Sequence, residues 1–314
     1  MSKSNGRTLV IMVAVLLAAA FLRLVAWREA PPGLRFDEML VVTQTDAIRD
    51  GARPIYIDDL AEEALYHYLF AAAQDLFGEQ LFTLRWLSLA LGLIAIAALC
   101  ALGRRMFNVR VGVLAAMLAA ASFWSLMYGR IGLRIIALPA FVTLAMLMLW
   151  RGLAQDPAGL QKPRRSYFVI AGGLFGLSAY TYSATRLLPA VFVAFGVYLF
   201  FFHRAAFRQQ GRTLLLTLSL ALIIALPMAI HIATVPAAER RLGEVEGPLD
   251  ALQRGEVTPL IHSVLDTAGM FIARGDPEWL YNYPDRPVFD LVTGLIFYFA
   301  LFVCARRWKQ RPYA

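Results

Sequence analysis

Cysteine is scarce: only Cys100 and Cys304 occur in 314 residues. A small secreted fold stapled by disulfides is excluded by that count. Both cysteines fall near the basic ends of apolar runs, where a disulfide is not expected. Histidine is nearly as rare, and the four histidines and two cysteines make no zinc-type spacing. Charged residues are 17% of the chain and are almost missing from its long apolar runs. No internal repeat is visible. A transporter built on inverted repeats would want that repeat, and ionisable groups near the bilayer midplane.

What the chain does have is apolar surface. Its residues are 59% hydrophobic and the mean hydropathy is +0.59, whereas soluble domains lie nearer 45–50% apolar. Eight runs approach the roughly 20 residues a span requires: about 8–27, 81–102, 110–128, 134–151, 167–183, 187–203, 213–233 and 287–305. They are continuous and do not alternate, which points to helices and not to a barrel. The expected fold is an all-α polytopic membrane protein with about eight transmembrane helices, residues 1–314 making one transmembrane module.

A formal charge of +8 would suit nucleic acid if it formed a patch. It does not. The basic residues gather between alternate runs: Lys3 and Arg7; Arg104, Arg105 and Arg110; Arg151, Lys162, Arg164 and Arg165; Arg204, Arg208 and Arg212; Arg306, Arg307, Lys309 and Arg311. The positive-inside rule puts those segments, and both termini, in the cytoplasm. The implied partner is the lipid bilayer, with no nucleic acid. Lys3, Arg7 and Ala18 to Ala20 also fit a signal peptide. The apolar run continues through Phe21, Leu22 and Leu24, so an uncleaved first span is the preferred reading.

Two polar segments, 28–80 and 234–286, are then external. In the first, "DEMLVVTQTDAIRDG" reads as a short helix stopped at Gly51. In "DDLAEEALYHYLFAAAQDLFG", Leu60, Ala64, Tyr68, Ala72 and Leu76 recur every four residues, which predicts an amphipathic helix lying in the interface. The second segment carries several prolines and exceeds ordinary connections, so a functional role is expected for it. Gly172 and Gly176, one turn apart inside a run, predict close helix packing.

The unusual polar residues collect at the external ends. Asp37 and Glu38 follow the first run, and Glu63 and His67 sit on the interfacial helix. "YGRIGLR" brings Tyr128, Arg130 and Arg134; "YTYSATR" brings Tyr180, Tyr182 and Arg186. Singly, each has a plain role. Asp37 suits a helix N-cap, the arginines can snorkel to headgroups, and the tyrosines suit an aromatic belt. Together they set carboxylates and guanidiniums at one depth. A guanidinium fork suits phosphate, and a carboxylate can take a proton from a hydroxyl. That set suffices to move a sugar from a lipid phosphate to an acceptor hydroxyl. The base works on one face of the sugar and the phosphate leaves from the other, so the anomeric centre inverts.

Six stretches carry a family likeness: "PPGLRFDE", "EALYHYLFAAAQDLFGEQLFTLRWLSLALG", "GRRMFN", "YGRIGLRIIALPAF", "GLSAYTYSATRLLPA" and "GDPEWLYNYPDRPVFD". With them the chain resembles the GT-C class of integral-membrane glycosyltransferases. The likeness is to the family 39-like superfamily of dolichyl-phosphate-mannose-protein mannosyltransferases and aminoarabinose transferases. The resemblance implies a polyprenyl-phosphate-linked sugar donor. The acceptor would be a lipid, glycan or protein, and the site would lie on the outer face of a bacterial cytoplasmic membrane. It implies Asp37 as the catalytic base beside Glu38, Glu63 as the acid opening the interfacial helix, and Arg130 and Arg186 near the lipid phosphate. The late loop keeps Asp276 and Asn282 for donor or acceptor contacts. It lacks the basic and histidine positions that relatives have between them. No cofactor is implied; a divalent metal shared by Asp37 and Glu38 stays open, without further ligands. Relatives are longer, with more spans and often a soluble domain, so this chain would correspond to their amino-terminal module. The competing reading is a non-catalytic GT-C-like subunit of a larger membrane complex. The short length and altered late loop favour it, while the retained Asp37, Glu63, Arg130, Arg134 and Arg186 oppose it.

Overall fold

Apolar runs this long satisfy their backbone groups internally only as helices, and helices are what they form. The computed structural model describes residues 3–78, 82–153, 164–235, 247–279 and 282–310. Lys162 and Arg311 of the basic clusters, and parts of both polar segments, lie outside the described residues. The chain makes two units, divided after Thr234.

The first unit begins with α1 (Lys3–Leu24), α2 (Phe36–Arg49), β1 (Tyr56–Ile57), β2 (Glu62–Glu63) and α3 (Leu65–Phe77). It continues through α4 (Thr83–Met106), α5 (Val109–Ala121), α6 (Phe123–Tyr128), α7 (Ala137–Gly152), α8 (Arg165–Ser178), α9 (Leu188–Phe202) and α10 (Arg204–Thr234). Five stretches among the described residues are long and apolar enough to cross a membrane: Gly6–Leu24, Thr83–Met106, Arg134–Gly152, Ser183–Phe202 and Arg204–Thr234. The other three runs also form helices, but shorter ones. The run 110–128 breaks at Ser122, whose backbone is extended (φ −60°, ψ 132°), and this leaves α5 with 13 residues. The α8 helix has 14 residues, and the helix in the last run has 16.

Packing follows three apolar clusters. Ala19, Ile96, Cys100, Ala116 and Ala120 join α1, α4 and α5. Val41, Tyr66, Phe70, Leu84, Leu91, Ile136 and Ala140 join α2 and α3 to α4 and α7. Leu149, Trp150, Phe168, Phe175, Leu199 and Leu214 join α7 through α10. Gly172 and Gly176 do bring helices close. A β-carbon on Gly172 would lie 2.8 Å from the Thr217 carbonyl, and one on Gly176 would lie 2.6 Å from Ile224. The basic ends of α4 and α7 meet where Arg105 Nε donates to the Trp150 carbonyl at 3.4 Å.

The first polar segment departs from its predicted form. Helix α2 stops near Gly51 as expected, but it begins at Phe36 with Arg35 as its N-cap, so Asp37 lies inside the first turn and is not the cap. The predicted interfacial helix is shorter. Its first residues form an antiparallel hairpin, Tyr56 opposite Glu63 and Ile57 opposite Glu62, around a 3-10 turn at Asp58–Leu60. The helix proper starts at Leu65, whose N–H donates to the Tyr180 carbonyl at 3.1 Å. Its buried face is Tyr66, His67, Phe70, Ala71 and Gln74. The four-residue stripe points elsewhere: Ala72 is exposed and Leu76 is 78% exposed. The bundle takes the face that carries hydrogen-bonding groups. Tyr66 Oη lies 2.6 Å from Ser88 Oγ on α4.

The second unit holds α11 (Gly247–Gln253), α12 (Thr258–Gly269) and α13 (Leu291–Arg306). The link from α12 to α13 folds on itself. Val288 and Phe289 N–H groups bond the Met270 and Phe271 carbonyls at 2.9 and 3.1 Å. Asp290 then caps α13, its Oδ1 accepting the Thr293 N–H at 3.0 Å.

Candidate functional site

Two adjacent carboxylates on a helix point about 100° apart, and α2 uses that divergence. Glu38 turns inward and is fully buried. Arg85, from the first turn of α4, grips it with a fork: Nε donates to Oε1 at 3.0 Å and Nη2 to Oε2 at 3.1 Å. The Arg35 N–H adds 2.9 Å to Oε2, and the Gly132 N–H adds 2.8 Å to Oε1. Remaining Arg85 donors hold the carbonyls of Trp27, Pro31 and Gly33. Glu38 is thus a buried anchor between α2, α4 and the turn before α7. Asp37, next to it, is half-buried.

That turn organises the site. Arg130 donates to the carbonyls of Leu22 (3.1 Å), Val25 (2.7 Å) and Ala30 (2.8 Å), which ties down the end of α1 and the chain after it. It does not join the other arginines. Two residues past Gly132, Arg134 points into the hairpin. Its Nε donates to Glu63 Oε2 at 3.2 Å, its Nη1 pairs with Glu62 Oε1, and its guanidinium lies 5.5 Å from the Tyr182 ring centre. Arg186 comes from the 3-10 turn before α9. Its Nη2 stands 3.9 Å from Glu63 Oε1 and has no hydrogen-bond partner. Glu63 therefore sits between two guanidiniums, buried to 1% exposure.

His67, one helical turn on, is fully buried with neither ring nitrogen hydrogen-bonded. Burial, reinforced by the nearby Arg134 charge, pushes its pKa down to about 4, so the ring is neutral at ordinary pH. Burial also raises the Tyr56 phenol, with the Glu63 charge adding to the effect. At the hairpin tip, His231 Nε2 lies 2.7 Å from Asp58 Oδ1, linking the first polar segment to the end of α10.

The remaining predicted residues stand apart. Tyr128 stacks on Trp124 at 5.7 Å, beside a cavity between α4 and α7. Asp276 and Asn282 belong to the second unit, where they build a loop. Asn282 Nδ2 donates to the carbonyls of Asp276 (2.9 Å) and Arg286 (2.8 Å), and Asp276 Oδ1 accepts the Glu278 N–H at 2.8 Å.

Sequence reasoning missed Arg85, Glu62, Tyr56, Asp58 and His231. Arg85 had a signal: an arginine just inside an apolar run, in "TLRWL", needs an anionic partner if it is not to face lipid. A shared cation between Asp37 and Glu38 does not suit this arrangement, because both Glu38 oxygens already accept hydrogen bonds from N–H donors. Among the described residues, no group of three or more His, Cys, Asp or Glu is placed to hold a metal ion.

Residues 64–231, which run from the opening of α3 to the end of α10, match the dolichyl-phosphate-mannose-protein mannosyltransferase family. The chain belongs to that family. Solved structures show the same GT-C fold. The Archaeoglobus fulgidus oligosaccharyltransferase in complex with Zn and sulfate has a TM-score of 0.64 at 17% identity, over 96% of this chain and 44% of its own. Its apo form gives 0.63 at 18% identity, over 98% and 46%. The same organism's AglB, bound to an inhibitory peptide and a dolichol-phosphate, gives 0.58 at 19% identity, over 99% and 46%. The chain thus spans under half the length of these structures, and at such identities the likeness is one of fold. None of the curated proteins matches the chain.

Proposed function

We propose that this family member transfers a sugar from a polyprenyl-phosphate donor to an acceptor hydroxyl at the outer face of the cytoplasmic membrane. The observation that carries the reading is the Glu38 anchor. Four N–H donors hold Glu38, which fixes the first turn of α2 and with it the backbone position of Asp37. A positioned carboxylate is what a general base requires.

Asp37 takes the proton from the acceptor hydroxyl as its oxygen bonds to the anomeric carbon. The bond from that carbon to the phosphate oxygen breaks with its electron pair, and the configuration inverts. Arg186 meets the charge that develops on the departing phosphate, through the guanidinium nitrogen that lacks an acceptor. Arg134 is more buried and paired to both hairpin glutamates, so its role is to position Glu63 and the hairpin. Arg130 is structural. The reading is tested with the full chain in membrane vesicles and a polyprenyl-phosphate-linked sugar. Asp37→Asn should lower turnover and leave donor binding unchanged.

One observation favours the second reading, a non-catalytic subunit. Both guanidiniums of the cluster already face glutamates, which reduces the attraction left for phosphate. An Arg186→Gln variant that binds polyprenyl phosphate as well as the unaltered chain does would support that reading.

A further inference from the structure

Helices α9 and α10 are joined at His203 and fold back on each other. Between them lies a cavity of about 440 Å³. One wall is Phe192, Phe195 and Gly196 of α9, and the other is Gly211, Leu215 and Leu218 of α10. The two glycines hollow it. A β-carbon on Gly196 would meet nothing within 4 Å, and one on Gly211 would meet only the Phe207 ring, at 3.9 Å. Aromatic neighbours brace the walls from behind. Phe192 packs edge-on against Phe175 at 4.7 Å, and Phe207 against Phe200 at 5.4 Å.

Arg208 and Arg212 line the same cavity, and both are exposed. With Leu215 they follow one stripe of α10, since residues four and then three apart share a helix face. The charge therefore sits at one end of the cavity. Leu218, at the apolar end, is about 15 Å further along the helix than Arg208. Arg204 extends the stripe toward His203, its guanidinium 5.8 Å from the Phe200 ring centre. Cations spaced by four residues repel one another. These occupy the opening turns of a helix, where the helix dipole is positive as well. Among the described residues, no carboxylate pairs with Arg208 or Arg212.

We infer that this cavity binds an acidic phospholipid of the bilayer. Its phosphate meets Arg208 and Arg212, and one acyl chain runs between Gly196 and Gly211 toward Leu218. Charge complementarity selects the head, and the apolar walls select a lipid over soluble phosphate. The site is remote from the glutamate–arginine cluster. His231, which meets the hairpin at Asp58, lies about 35 Å along α10 from Arg208. On the orientation proposed above, the cavity opens at the cytoplasmic leaflet. The inference does not rest on sugar transfer and uses none of the residues assigned to it.

Native mass spectrometry of the full chain released from detergent tests the site. The probes are dioleoylphosphatidylglycerol, dioleoylphosphatidylcholine and inorganic phosphate. The two lipids share their chains, and the choline of the second cancels its charge, so the difference between them reports the head. Phosphatidylglycerol should be retained roughly tenfold better than phosphatidylcholine, and inorganic phosphate should not be retained. Arg208→Gln combined with Arg212→Gln should abolish most of that preference. Arg164→Gln combined with Arg165→Gln removes the same charge from another basic cluster and should leave the preference intact. Gly196→Phe fills the hollow and should weaken both lipids with the arginines untouched. If that variant fails to fold, the arginine pair decides. Equal retention of the two lipids, or an unchanged preference in the Arg208 and Arg212 variant, would overturn the inference. So would unchanged retention in Gly196→Phe, or an equal loss in the Arg164 and Arg165 variant, which would assign the effect to diffuse surface charge. A dimer that persists without lipid and is lost in Gly196→Phe would put a protein segment in the groove, and would overturn it too.

Discussion

Arg85 holds both oxygens of Glu38, and neither side chain is more than 1% exposed. A pair this deep stabilises only while it is complete, because each charge lost to the other side leaves a buried ion alone. Arg85→Met should therefore cost about 3–5 kcal/mol, read as a fall in the unfolding midpoint in detergent. The double variant Glu38→Leu, Arg85→Met removes the stranded carboxylate and should recover part of that loss. Recovery should be incomplete, since the carbonyls of Trp27, Pro31 and Gly33 also lose their donor. Equal stability of the single and double variants would show that Glu38 is not held by Arg85.

Asp37→Asn keeps shape and removes a base. If sugar transfer runs through Asp37, turnover with a polyprenyl-phosphate-linked sugar should fall by roughly 10²–10⁴-fold. The unfolding midpoint should stay close to that of the unaltered chain, in contrast to Arg85→Met. A large drop in midpoint for Asp37→Asn would assign Asp37 to structure.

His67 makes stability depend on acid. Its native pKa lies near 4, below the ordinary histidine value of about 6.5. The unfolded chain therefore takes up a proton that the native chain refuses. Stability is intact above about pH 6.5 and falls as the pH drops toward 4, by roughly 3 kcal/mol for this group. Denaturation midpoints between pH 7 and 4 should show the slope, and His67→Phe should flatten it. An unchanged slope in that variant would place the titration elsewhere.

Arg130 and Arg186 are expected to fail differently. Arg130→Gln loses the ties to Leu22, Val25 and Ala30 and should lower the unfolding midpoint, with donor affinity following only as folding is lost. Arg186→Gln should leave the midpoint nearly unchanged and weaken polyprenyl-phosphate binding several-fold, the effect of removing one charged hydrogen bond. Titrating both variants with polyprenyl phosphate while following unfolding separates the two roles.

The placement of the basic residues gives a fifth check. Reporter fusions within residues 28–78 should report outside, and fusions near Arg105 and Arg151 inside. An inside signal from the first polar segment would reverse the orientation proposed for the site.

Much of the fold was readable because membrane helices leave a coarse trace: continuous apolar runs bounded by arginines. The close approach at Gly172 and Gly176 was readable for the same reason, since small residues one turn apart have few other uses. Finer features were not. Shifting the start of α2 by a residue or two decides which carboxylate faces in, and the local bond from the Arg35 N–H to Glu38 sets that start only in part. It depends on Arg85, 47 positions later than Glu38. A hairpin of two residues per strand leaves no periodicity, so Glu62 and Glu63 were merged into the helix that follows. The convergence of Arg134 and Arg186 on Glu63 needed two turns from distant parts of the chain, whereas Arg130, equally basic and four residues from Arg134, was claimed by helix-end carbonyls.

The brevity of α5 and α8 bears on the membrane itself. Helices of 13 and 14 residues reach only about 20 Å, against a hydrocarbon layer of about 30 Å. Each starts beside arginines, Arg110 and Arg165, that anchor one end at a headgroup layer. About a third of such a layer is left to the segments that follow them, which carry Arg134 and Arg186. A bilayer that meets short helices thins around them. Under the proposed orientation, a lipid surface thinned around α5 and α8 would lie nearer the glutamate–arginine cluster than a surface at full thickness, and the proposed donor phosphate would have less depth to travel.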